Sequence, residues 1–179
     1  MNKPIVDIDL FRKYNNYYEE DTDDLCECFL RASENIVQDY LGYDPNRTEY
    51  DEYTEGIGSD KPFTRVTPIA DFSYVVRADT GEALEGVGWN ENYIYSLEGD
   101  SIFEDKATYK IHYEGGYRNV PDEIKLAVIR IASLMLAESN GNIGITGKSN
   151  ADQSRTFISY NSYDKYLKPL ISYRCKSIV

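Results

Sequence analysis

A chain of 179 residues is long enough to bury about two thirds of its unfolded surface, so one domain with an insertion folds without a metal or disulfides. Its three cysteines, an odd number, exclude a secreted disulfide framework and do not supply four zinc ligands, which points to a reducing compartment. The net charge of −12 excludes a protein that coats nucleic acid.

That charge is uneven. Residues 1–60 carry 16 acids against 5 bases (−11), residues 61–120 carry 10 against 6 (−4), and residues 121–179 carry 5 against 8 (+3). A basic last third on an acidic body suits head-to-tail or partner electrostatics, and it equally suits solubility alone. The start, MNKPIVDIDLF, has no apolar core of signal-peptide length. The longest apolar stretch, within Ile124 to Ala137, is broken by Lys125, Arg130 and Ser133, so a soluble, non-exported chain is expected.

In chain order, DIDLFRKYNN predicts a short helix or turn beginning near Asp7 or Asp9. After the acidic run YYEEDTDD, the residues Leu25, Cys28, Phe29, Ala32, Ile36 and Tyr40 recur at three- and four-residue steps. They predict a helix over 22–41, capped by Asp21 or Thr22 and stopped by Gly42 and Pro45. Residues 50–60 read as a polar loop. The segment 61–117 changes period: FTRVT, DFSYVVRA, NYIYSLEG and ATYKIHYEG are rich in β-branched and aromatic residues, with turns at 79–81 and 98–100. They predict a small antiparallel sheet inserted between helices.

The stretch YEGGYRNVPDEIKLAVIRIASLMLAE is the sharpest signal. Gly115 and Gly116 permit positive φ for a turn out of the strand, Pro121 pre-sets the first helical residue, and Asp122 and Glu123 suit the helix dipole. One face of the helix carries Ile124, Ala127, Val128, Ile131 and Met135, another Leu126, Ile129, Ala132 and Leu136. A helix apolar on two faces is buried on two sides, here against helix 22–41 and against the sheet or a neighbouring subunit. Beyond it, SNGNIGITGKSNADQS reads as a linker or loop, RTFISYNS as a short strand and YDKYLKPLISYRCKSIV as a short helix or arm ended by Pro169.

Three stretches invite a chemical reading. GNIGITGKS resembles a phosphate-binding loop, but the required glycine five places before Gly147 is Asn142, and the loop follows a helix instead of a strand. His112, the only histidine, would serve Cys26 or Cys28 as a general base only if the fold united them; a solvent-facing strand histidine is the simpler reading. The run Glu19 to Asp24 lacks the spacing and glycine of a calcium loop and fits a solvated helix start. No catalytic, cofactor or metal site is therefore assigned. Seventeen tyrosines are more than the sheet needs, and tyrosine buries much area with few rotors, which suits interfaces.

The order of these pieces resembles the head-tail connector (adaptor, or head-completion) proteins of tailed bacteriophages. The matching elements are the short N-terminal helix, LCECFLRASENIVQDYLGYDP, a β insertion containing VTPIADF, the strand, Gly-Tyr and Val-Pro-Asp-Glu join to the apolar helix, and the C-terminal LKPLISYR. The resemblance implies an α+β fold: a small helical bundle with an inserted antiparallel β-sheet and a C-terminal arm. It divides the chain into a connector domain over 1–140, with the insertion at about 61–117, and a flexible loop and arm over 141–179.

It further implies a non-enzymatic virion protein of the neck, made in the host cytoplasm. Its copies form a ring, usually dodecameric, that docks on the portal protein, meets a tail or tail-completion protein, and lets genomic DNA pass without specific contacts. The arm residues Tyr166, Leu167, Lys168, Leu170, Ile171, Tyr173, Arg174 and Lys176 are the expected portal contacts, mobile until docking, the alternative being that the arm folds back to close the subunit's own core, and Tyr93 and Tyr95 of the insertion are expected between subunits. No membrane and no cofactor are expected. The long segment GNIGITGKSNADQSRTFISYN and the acidity depart from the pattern. The acidity also permits an alternative, an acidic mimic of DNA that occupies a basic enzyme groove.

Overall fold

The computed structural model describes residues 3–17, 23–62, 64–100, 102–139, 145–148, 155–157 and 163–175. They form two compact units: residues 1–42 with 121–174 make a helical unit, and residues 43–120 with 175–179 make a β unit.

The helical unit begins with α1 (Ile8–Asn15). Asp7 caps it, its carboxylate accepting from the amide of Leu10 at 2.8 Å, and Asn16 ends it in the left-handed region. Phe11 of α1 is fully buried, and α1 packs on both α2 (Asp23–Leu41) and α3 (Asp122–Ala137). The two longer helices pack on each other. In α2 the buried positions are Cys26, Leu30, Ser33, Val37 and Leu41, with the Ser33 hydroxyl returned to the Phe29 carbonyl at 2.8 Å; the expected stripe is not the buried one, Leu25 and Cys28 being exposed and Phe29, Ala32, Ile36 and Tyr40 half-buried. The expected caps Asp21 and Thr22 lie outside the described residues.

The double apolar face of α3 is realised as seven buried positions: Ile124, Ala127, Val128, Ile129, Ile131, Ala132 and Leu136. These surround most of the helix axis, so α3 is an interior element, with Leu126 and Met135 only half-buried. Pro121 sits one place earlier than expected. It is the N-cap, in extended conformation, and its carbonyl accepts from Ile124 and Lys125 at 3.1 and 3.2 Å.

Glu34 adds a tie that periodicity does not reveal. One carboxylate oxygen accepts from the backbone amides of Ile5 and Val6 at 2.7 and 3.0 Å, fastening the chain before α1 onto α2. A carboxylate accepting two backbone donors is a charge-assisted tie, stronger than a neutral hydrogen bond.

In the β unit, β1 (Thr48–Glu55), β2 (Ile69–Arg77) and β5 (Thr108–Gly115) form an antiparallel sheet in the order β1-β5-β2, and β3 (Val87–Trp89) pairs with β4 (Ile94–Ser96) as a separate hairpin. The inward positions of the central strand, Tyr109, Ile111 and Tyr113, are buried beside Ile69, Val75 and Phe103. Two expectations fail here. Residues 50–60, read as a loop, supply most of β1. FTRVT forms no strand among its described residues; Thr64 and Val66 are buried, but Val66 bonds through its backbone to the Tyr113 hydroxyl instead of a ladder.

The corner after β5 also differs from the expectation in detail. Only Gly116 has positive φ, +94°, whereas Gly115 is a strand residue. A Cβ on Gly115 would meet Val66 Cγ1 at 2.8 Å, so close packing requires that glycine and conformation does not.

Residues 139–154, read as a linker or loop, contain the strand β6 (Ile145–Lys148), which pairs antiparallel with β7 (Arg155–Phe157) inside RTFISYNS, read as a short strand. The arm is helical: α4 (Asp164–Leu167) runs into a 3-10 turn, Lys168–Tyr173, and the two pack on α3, the turn also on α2. Leu167 and Leu170 are buried in the helical unit, so the arm folds back on its own subunit instead of waiting for a partner to order it.

Candidate functional site

The residues expected at the portal fall into three groups. Leu167 and Leu170 belong to the subunit's own core. Tyr166, Tyr173 and Arg174 are engaged locally: Arg130 and Lys165 lie over the Tyr166 ring, the Tyr173 hydroxyl donates to Glu123 at 3.4 Å, and Arg174 donates to the Tyr40 carbonyl at 3.0 Å while covering the Tyr40 ring. The remaining two described residues, Lys168 and Ile171, are exposed, Ile171 at 68%. Lys176 lies outside the described residues.

In the β unit, Tyr93 and Tyr95 meet edge to face at 5.8 Å on the β3–β4 hairpin, and the Lys61 ammonium sits 4.8 Å from the Tyr93 ring centre. Tyr93 is 39% exposed, and Trp89 and Leu97 of the same hairpin are exposed as well. Sequence reasoning singled out the two tyrosines. It missed Trp89, which lies outside the strand-forming runs, and Leu97, which lies inside NYIYSLEG but was given no surface role.

The stretches with chemical promise resolve otherwise. Gly147 and Lys148 lie on strand β6, whereas a phosphate-binding loop presents them at the start of a helix. His112 bonds through Nδ1 to Asp51 on the neighbouring strand at 2.9 Å and stacks on Tyr74 at 5.1 Å, so its ring is engaged by a carboxylate and an aromatic face, not by a thiol. That bond, with the one to Lys110, holds the Asp51 carboxyl below the ordinary carboxylate range. Cys26 is buried and Cys28 exposed, both as free thiols. Asp23, from the acidic run, pairs with Arg12 in the first turn of α2, where negative charge suits the dipole. Among the described residues no group of three or more His, Cys, Asp or Glu is placed to hold a metal ion, and no helix is long and apolar enough to cross a membrane.

Buried tyrosines of the β unit carry a pH dependence. Burial pushes the Tyr50 phenol up to about 12, and burial also raises Tyr113 and Tyr43 well above their ordinary value of 10.0. A phenol with a raised folded-state pKa contributes its full stability below the unfolded-state value; the contribution is lost as pH climbs toward the folded-state value. Stability is therefore expected to fall from pH 10 to about 12, with tyrosinate absorbance rising together with unfolding. Tyr50→Phe should make that loss shallower, and an identical alkaline profile would refute the assignment.

These surfaces carry exposed aromatics, an exposed aliphatic side chain and cations seated on rings. A family model for head completion proteins matches residues 4–162, and the chain belongs to the head completion protein family. The resemblance read from the sequence holds at that level.

Solved structures share the fold. A chain in the neck of an empty gene transfer agent (GTA) particle, computed with C6 symmetry, is similar with a TM-score of 0.60 and 10% identity, over 100% of this chain and 95% of that one. A chain in the neck of a native GTA particle with C12 symmetry gives 0.59 and 11%, over 96% and 90%. A chain in the virion of a native GTA particle gives 0.56 and 12%, over 100% and 95%. No curated protein matches the chain at a significant level.

Proposed function

We propose that the chain is a structural subunit of a phage neck, one of a ring of identical copies that docks on the portal and extends the DNA channel toward the tail. The observation that carries this reading is the family match over residues 4–162, joined by fold likeness along nearly the whole chain to proteins in symmetric GTA necks. A ring needs only one heterologous contact repeated about an axis, and the exposed Trp89 and Tyr93 of the β3–β4 hairpin, with the half-buried Tyr95 against Tyr93, supply surface for it. The acidity of residues 1–120 suits a channel wall, because carboxylates repel phosphates and let DNA pass without sticking.

Negative-stain imaging of the purified protein mixed with its portal tests this directly: rings seated on the portal are expected. A monomer that ignores portal but binds a nuclease, released by salt, would instead favour the DNA mimic.

Within that reading, Ile171 and Lys168 are the portal contacts. Ile171→Glu is expected to leave the melting temperature unchanged and to weaken portal binding at least about tenfold, since a charge replaces an apolar anchor at the interface. Deleting residues 166–179 is a poorer probe, because it removes Leu167 and Leu170 from the subunit core and should destabilise the chain. Unchanged portal binding by the folded Ile171→Glu variant would move the docking surface elsewhere.

A further inference from the structure

The three-stranded sheet has one covered edge and one open edge. Along β2, the Arg77 amide donates to the Glu82 carbonyl at 2.8 Å and the Leu84 amide to the Val75 carbonyl at 3.0 Å, so the chain after β2 folds back over that edge. Strand β1 holds the other. In an antiparallel ladder alternate residues turn both backbone groups to the same side. The Ala78 amide bonds to Thr108 on the β2 side of the central strand, and the Gly56 amide to Ala107 on the β1 side, at 2.8 Å each. By that alternation Tyr109, Ile111 and Tyr113 turn toward β1, where their partners are Thr54, Glu52 and Tyr50. Glu49, Asp51, Tyr53 and Glu55 therefore turn their amides and carbonyls to the outer edge, and among the described residues none of those groups has a hydrogen-bond partner. The pairing of β1 with β5 runs over eight residues without a bulge, so this edge is an unbroken template for another strand.

The side chains of those four residues are exposed, Tyr53 at 66%. Asp51 is held by Lys110 and His112, whereas Glu49 and Glu55 meet no cation within ion-pair distance among the described residues. The chain also carries a strand pair short of a neighbour. Strands β6 and β7 form a two-stranded sheet that no third strand joins among the described residues, and two strands alone are marginal in water. Their sequences, ITGK and RTF, contain two cations and no acid. The register sets Lys148 opposite Arg155, a facing of like charges that a nearby carboxylate relieves.

We propose that β7 of one copy adds antiparallel to the open edge of β1 in the next copy, bringing β6 with it and extending the sheet from three strands to five. An alignment that sets Arg155 opposite Glu55 also sets Phe157 opposite Tyr53, and opposite residues share a face. One register thus gives an unpaired acid its cation and an exposed aromatic its apolar cover. A parallel alignment of Phe157 with Tyr53 would instead set Arg155 on Asp51, which Lys110 and His112 already hold. A second β1 is a poor occupant of this edge, because it would bring acids against acids. Backbone bonds supply the affinity of such a joint and the side chains its register. The inference rests on the ring reading: ribbon and edge are different parts of one chain, so the contact is heterologous and propagates from copy to copy until it closes.

Hydrogen exchange of the full chain, dilute and free against assembled on its portal, tests the joint. The amides of Asp51, Tyr53 and Glu55 are expected to exchange rapidly in the free chain and at least about tenfold more slowly in the assembly. In sedimentation over a range of concentrations with portal present, Glu55→Arg and, separately, Arg155→Glu are each expected to weaken association at least about tenfold, and the two together to restore most of it. Where a reversal fails to fold, the milder Glu55→Gln is expected to weaken association in the same direction. Edge amides that exchange alike in free chain and ring, or a double variant no better than either single one, would overturn the strand addition and leave the ring standing. Slow exchange already present in the dilute monomer would put the ribbon on its own subunit and overturn the joint between copies. A wild type that stays monomeric at every concentration, portal present, would overturn both the joint and the ring.

Discussion

Ile131→Ala is expected to destabilise the helical unit by about 2–5 kcal/mol. Ile131 has no exposed surface and lies on α3, the helix that packs against α1, α2, α4 and the 3-10 turn. Truncation removes three carbons from an interior with no slack, and the cost combines lost transfer energy with the cavity left behind. Leu170 and Val37, which are also fully buried in this unit, sit on elements that would have to move together to refill it. Ile131→Val, one methylene smaller, should cost only about 0.5–1.5 kcal/mol. Urea denaturation measures both: the midpoint should fall in that order with an unchanged slope, since the surface exposed on unfolding is nearly the same. An alanine variant with the wild-type midpoint would mean that α3 is not the interior element its two apolar faces imply.

The long helices were legible because their signal is local. Ile124, Val128 and Ile131 in α3 recur at the helical period, and in α2 the period marked the helix although the stripe it picked, Leu25, Cys28, Phe29, Ala32, Ile36 and Tyr40, lies beside the face that is buried, since several residues on both sides of the axis are apolar. Strand β1 was not legible for the opposite reason. Its sequence, TEYDEYTE, mixes acids with tyrosine and threonine without an unbroken period of two, and it becomes a strand only beside β5, where Asp51 faces His112 and Tyr53 faces Lys110. FTRVT failed in the other direction: its β-branched residues are buried, but the hydroxyl of Tyr113, 47 positions away in the chain, takes the place of a ladder partner.

The candidate surfaces divide along the same line. Tyr93 and Tyr95 stood out by residue type, and Ile171 and Lys168 by their company of apolar and basic neighbours. No sequence pattern separates the exposed Ile171 from the buried Leu170 beside it, because the 3-10 turn assigns their directions through packing on α2 and α3. Glu34 and the Arg130, Lys165 and Tyr166 cluster depend on partners about thirty or more positions apart, which periodicity does not register.

Gly116→Ala is expected to be among the most damaging single substitutions in the β unit. At φ +94° an L-residue is strained, by about 1–3 kcal/mol where the surroundings enforce the conformation. The surroundings do enforce it. The Gly116 amide donates to the Pro68 carbonyl at 2.9 Å, and the next amide, of Tyr117, donates to the Pro45 carbonyl at 2.8 Å. An added Cβ would also press on the backbone carbonyl of Asn46 and lie 3.1 Å from the Pro45 oxygen, and neither can swing aside as a side chain would. Conformational strain and steric overlap therefore add at one atom. Gly99 isolates the first effect, since it too has positive φ, +77°, but a Cβ there meets nothing within 4 Å. Gly99→Ala should thus cost only the conformational part, about 1–2 kcal/mol, and Gly116→Ala clearly more. Urea midpoints of the two variants, compared with the wild type, provide the measurement. Equal losses would show that the backbone at Pro45 and Asn46 yields freely, and that the corner leading out of β5 toward Pro121 needs glycine for its dihedral angle alone.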